Sequence, residues 1–183
     1  MLTRIRRAVA KDAASIAKVH IDAWLTTYQG IVPDRHLSNL SYDRSQRMWE
    51  ATLLDPKSQD AVYVAEGDSQ NIVGYASCGP DRDNDPTYKG EVYGLYVLQK
   101  IQRTGIGKRL MAAAVSDLKS RGFNSMIVWV LAANPSRRFY ERLGGDHIQT
   151  RNITIGGKQL EEYGYGWKNL DSLAHLSSQR RTK

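Results

Sequence analysis

Apolar positions change their spacing several times along this chain, and each change marks an element. Residues 5–9 read as a short strand that Lys11 and Asp12 end. Asp12 is a suitable helix N-cap, and Ile16, Val19, Ala23 and Trp24 then recur at helical spacing. Residues 28–33, with Gly30 and Pro33, break that helix. A second helix carries Met48, Trp49, Thr52 and Leu53 on one face, with Pro56 beyond its end. Residues 61–65 and 72–77 are β-rich around a turn cluster, which predicts a hairpin. Residues 79–86, rich in Gly, Pro and Asp, form a loop. A third strand covers 91–97, and an amphipathic helix covers 105–121 before Gly122. The dense apolar run 125–131 reads as a strand buried on both faces. Asn134 and Pro135 start a short helix, as cap and first-turn residue. Residues 150–155 and 159–167, joined by Gly156 and Gly157, read as a final hairpin. The pattern predicts one mixed α/β domain on a single sheet over residues 1–168, with a basic C-terminal tail at 169–183.

Composition narrows the class. At 183 residues, 41% hydrophobic and 25% charged, the chain suits one soluble globular domain. No apolar run approaches the ~18 residues of a membrane span, so no membrane partner is expected. The charged N-terminus lacks a following apolar segment, which argues against a secretory signal and for a cytoplasmic location. Cys78 stands alone, excluding an internal disulfide or a multi-cysteine metal cage. The net charge of +7 draws on Arg4, Arg6 and Arg7 at one end and Arg180, Arg181 and Lys183 at the other. Solvated ends explain it, and no nucleic-acid signature supports the other reading. Asp81, Asp83 and Asp85 have the spacing that opens a calcium loop. Pro86 stands where that loop needs glycine and Val92 where it needs glutamate. With the four histidines scattered as well, no metal site is expected.

The chemistry concentrates in Gln102, Arg103, Thr104, Gly105, Ile106, Gly107 and Lys108, between the third strand and the long helix. A helix start leaves backbone N–H groups unpaired at the positive end of its dipole. Glycine lets a bulky anion approach them without a Cβ in the way. Together these make a phosphate cradle, to which Arg103 and Lys108 add charge. The dinucleotide fingerprint fails because Leu110 holds its third glycine position, and a P-loop fails at Gln102 and Arg109.

This stretch resembles the Q/R-x-x-G-x-G/A signature of the GNAT superfamily of N-acetyltransferases. Leu95, Tyr96 and Val97 look like that family's bulged strand, and Asn134 with Phe139, Tyr140, Glu141, Arg142, Leu143 and Gly144 resembles its next motif. Element order agrees over nearly the whole chain. Two positions depart: Asn134 and Tyr140 are one residue closer than is usual, and Gly145 replaces an aromatic residue. The resemblance implies a mostly antiparallel central sheet flanked by helices, with a V-shaped opening between the strands at 91–97 and 125–131. It implies that acetyl-CoA is the cosubstrate, its pyrophosphate on residues 102–108 and its pantetheine arm along Leu95, Tyr96 and Val97. It places Asn134 in a cofactor contact and implies direct transfer to a primary amine, with no acyl-enzyme and hence no role for Cys78 as nucleophile.

By the same resemblance Tyr140 donates a proton to the leaving thiolate. Glu91, at the start of the third strand, is the candidate general base. Trp24, Tyr28 and Trp49 lie where the family shapes its acceptor pocket, and the Asp81–Asp83–Asp85 loop could attract a cationic acceptor. Candidate acceptors are an amine-bearing small molecule or a protein N-terminus, and dimers are common in the family. The alternatives are a catalytically silent acyl-CoA-binding module and a nucleic-acid binder that uses the basic ends.

Overall fold

The computed structural model describes residues 3–176. The strands are β1 (Arg4–Arg7), β2 (Ala61–Glu66), β3 (Ile72–Pro80), β4 (Gly90–Val97), β5 (Met126–Leu131), β6 (Asp146–Ile155) and β7 (Lys158–Trp167). The α-helices are α1 (Ala13–Thr27), α2 (Asp34–Ser38), α3 (Tyr42–Leu54), α4 (Ile106–Ser120) and α5 (Arg137–Arg142). The strands form one sheet in the order β1-β2-β3-β4-β5-β7-β6, and every neighbouring pair is antiparallel except β4 and β5. That parallel pair is held only from Gly90–Met126 to Val92–Val128. Beyond it β4 stays with β3 and β5 with β7, so the two strands diverge and open a cleft. The expected V-shaped opening is therefore present, and its apex is the short parallel ladder.

Each face of the sheet is covered. On one face α4 buries Met111, Ala114 and Leu118 in an apolar core with Val92 and Val128, and Leu110 in a second with Val73 and Val97. On the other, Ile16 and Val19 of α1 and Trp49 of α3 pack with Val62, Val64 and Tyr75. Met48, placed by its spacing on the inner face of α3, is exposed.

Two expectations are corrected. Asp12 precedes α1, yet its carboxylate does not cap it. It accepts from Arg6 at 2.6 and 2.9 Å and from the Val9 amide at 2.9 Å, because Arg6, also bonded to Glu66, supplies a stronger partner than a helix amide. The packed body also does not stop at 168. A 3-10 helix at Leu170–Leu176 buries Leu170, Leu173 and Leu176 in the α4 core, and the Leu170 amide donates to Asn124 at 2.9 Å. The three leucines recur every third residue, so they fall on one side of a three-residue turn. The rest of the predicted tail, 177–183, lies outside the described residues.

Candidate active site

The cleft is walled by Thr27 of α1 and Tyr28 just after it, residues 93–97 of β4, residues 128–130 of β5, and Gln102, Asn134, Ser136 and Tyr140. Its floor follows from the diverging strands, since the facing edges of β4 and β5 have no strand partner there. Gln102, one of these lining residues, lies just before α4. Gly105 stands before the helix at φ +86°, where no side-chain atom crowds it, so the demand for glycine is conformational. Arg103 also adopts a positive φ of 62°, which turns the chain sharply into the helix. Gly107 differs: a Cβ there would meet Phe139 at 3.6 Å and Leu95 at 3.8 Å, ordinary contacts that the protein tolerates.

The cradle residues take distinct places. The Gln102 side chain donates to the Val97 carbonyl at 3.1 Å, tying the cradle to the end of β4. Thr104 donates to the Ile101 carbonyl at 2.7 Å, and Ile106 is buried as the helix's first anchor. Arg103 and Lys108 are exposed, whereas Arg109 turns away to the Thr3 carbonyl at 2.6 Å.

Tyr140 is buried on α5 against Phe139 and Tyr165, and it reaches the cleft wall. Its hydroxyl makes no hydrogen bond among the described residues. Burial, and next the neighbouring Tyr96, push its pKa above that of free tyrosine. Asn134 is buried: its carbonyl oxygen accepts from the Ser136 amide at 2.8 Å, and its side-chain amide donates to the Tyr28 hydroxyl at 3.3 Å. Tyr28 thus reaches across from α1, while Trp24 donates to the Tyr96 hydroxyl at 3.2 Å. Tyr28, read as a pocket candidate, lines the cleft; Trp49 does not, and packs edge-on against Tyr75 in the core.

Glu91 is where reading from the sequence and the folded geometry part. Its side chain is 1% exposed and lies outside the cleft lining. One oxygen accepts from the Arg82 amide and Nε at 3.1 and 3.0 Å, and the other pairs with Arg82 Nη2. Arg82 also stacks on Tyr93, 4.6 Å from the ring centre. The β3–β4 loop folds back over the strand start, so Glu91 anchors that loop through Arg82. In the same loop Asp83 pairs with Arg151, and Arg151 lies 3.7 Å over Trp129, a cleft-wall residue that no sequence signal singled out. Cys78 is buried, and burial pushes its thiol up to about 12. Among the described residues no cluster of three or more His, Cys, Asp or Glu could hold a metal ion, and no helix is long and apolar enough to cross a membrane.

The fold and cleft define the class: a single-sheet α/β protein split at one parallel strand pair, with a tight glycine turn leading into α4 after β4. The profile of the Acetyltransferase (GNAT) family matches residues 21–145. The chain is 37% identical over 175 residues to the uncharacterized N-acetyltransferase YuaI of Bacillus subtilis (strain 168), covering 96% of this chain and 98% of that one. It belongs to the GNAT family of acetyltransferases and is an acyltransferase by descent. Among solved structures, yncA of Salmonella typhimurium with acetyl-CoA superposes with a TM-score of 0.69 at 25% identity, covering 93% of this chain and 95% of that one. An N-acetyltransferase of Staphylococcus aureus Mu50 superposes with a TM-score of 0.72 at 19% identity, covering 93% and 99%.

Proposed function

We propose that the protein transfers the acetyl group of acetyl-CoA directly to a primary amine bound in the same cleft. The observation that carries this reading is the partnerless Tyr140 hydroxyl in the wall of a cleft that Gln102, just before α4, also lines. The unpaired N–H groups at the start of α4, with Arg103 and Lys108 beside them, suit the pyrophosphate of the cosubstrate. At Gly105 a Cβ would meet nothing within 4 Å, which leaves the approach to the start of α4 open.

In the reaction the amine lone pair attacks the thioester carbon, the C–N bond forms and the C–S bond breaks. Tyr140 supplies a proton to the leaving sulfur; its raised pKa keeps it protonated and able to donate at neutral pH. Asn134 and Tyr28 act through their mutual bond, holding the α1 wall against the loop before α5. The test is release of free thiol from acetyl-CoA with a panel of primary amines, with mass spectrometry of the acceptor. Stoichiometric thiol and acetamide support the reading. Cosubstrate binding with no turnover of any amine would instead leave a silent acyl-CoA-binding module.

A further inference from the structure

The titratable side chains that line the cleft are all phenols: Tyr28 from α1, Tyr93 and Tyr96 from β4, and Tyr140 from α5. Burial pushes each of them upward, so none is an anion that could accept a proton. The carboxylates nearby are engaged elsewhere. Glu91 is sealed beneath Arg82, and Asp60 sits against the Tyr93 hydroxyl over Gly79. Glu162 of β7, close enough to act on Tyr96, is held by Arg151 Nε at 2.9 Å. His20 of α1 bonds Tyr75 through Nδ1 at 2.7 Å and is enclosed by the rings of Trp24 and Tyr96. Outside the described residues, positions 1–2 and 177–183 carry no Asp, Glu or His side chain.

We infer that the acceptor is a weakly basic amine that arrives already deprotonated, of the α-amino class found on amino acids and peptide N-termini, and not an alkylamine of the lysine ε-type. The inference rests on the transfer reaction proposed above and names its substrate class. Because the cleft lining offers only phenols and Glu91, Glu162 and His20 each have another partner, the amine proton passes to water in this reading, and water returns a proton to Tyr140 after the thiol leaves. The reactive fraction is then set by the acceptor's own pKa. An α-amine titrates near ~8 and a lysine ε-amine near ~10.4, so at neutral pH their free-base fractions differ by roughly 10²-fold. The greater nucleophilicity of the more basic amine recovers part of that difference.

The experiment uses the full chain, saturating acetyl-CoA and two lysine-containing dipeptides, one blocked at the side-chain nitrogen and one at the α-nitrogen. Thiol release is followed from pH 6 to 10. The α-amine is expected to have the higher kcat/KM at pH 7.5, by about 10-fold or more. The α-amine profile should level off near ~8, the ε-amine profile should still be rising at pH 10, and Glu162→Gln should leave both shapes in place. A shared inflection below pH 7.5 for both dipeptides, or its loss in Glu162→Gln, would identify an enzyme base and overturn the inference while leaving acetyl transfer intact. No thiol release from any amine at any pH would overturn the transfer reaction itself, and this inference with it.

Discussion

Two side chains at the residue scale separate chemistry from packing. Tyr140→Phe removes one hydroxyl and keeps the ring that packs on Phe139 and Tyr165, so folding should survive. Turnover should fall about 10-fold or more, while CoA affinity changes little, because one neutral hydrogen bond is worth only ~1 kcal/mol net. Measuring kcat and CoA affinity beside a thermal melt checks this; an unchanged kcat would return Tyr140 to the core. Cys78 makes the opposite case. Buried, and with its thiol pushed up to about 12, it should resist a thiol reagent at pH 8 until the protein unfolds. Rapid labelling of the native protein would show that the β3–α4 packing is open. Tyr140 was legible as a candidate because it falls at a fixed place in a short motif. The sealing of Glu91 was not, because its partner Arg82 comes from a loop whose fold-back no local pattern encodes.

Elements show a similar division. The start of α4 was legible from two glycines at the right spacing. Gly145, a departure from the family pattern, has a physical cause that appears only in three dimensions: a Cβ there would lie 2.6 Å from the Trp167 indole. His20, read as the polar edge of α1, proves to sit inside an aromatic cluster that α1, β3 and β4 build together. Burial pushes its pKa down to about 4, so the folded state keeps it neutral where the unfolded chain protonates near ~6.5. Folding stability from this group is present above ~6.5 and is lost as pH falls toward 4, up to about 3 kcal/mol. Denaturant midpoints taken across that range should decline less steeply in His20→Phe than in the wild type. Parallel declines would mean that His20 is protonated in the fold.

At the scale of the whole molecule, the C-terminal segment is part of the core and not an appendage. A chain ending at 168 loses three buried leucines and should be destabilised on the order of 5 kcal/mol relative to one ending at 176. Equal denaturant midpoints would contradict that packing. This segment misled the sequence reading because its basic end dominates the composition, although its apolar residues recur every third position. The β2–β3 and β6–β7 pairs were legible as hairpins, whereas the β1–β2 and β5–β7 pairs join strands distant in the chain. The splaying of β4 from β5 is a tertiary consequence of how far each strand pairs with its outer neighbour. In the proposed reaction CoA lies in this splayed cleft with its pyrophosphate at the start of α4, and calorimetric titration of CoA into the wild type and Gly107→Asp tests that central claim most directly. The wild type should bind at a single site, and the variant, folded by its thermal melt, should lose nearly all affinity to the added bulk and negative charge. Equal affinity in the two proteins would show that the cofactor does not use this cradle.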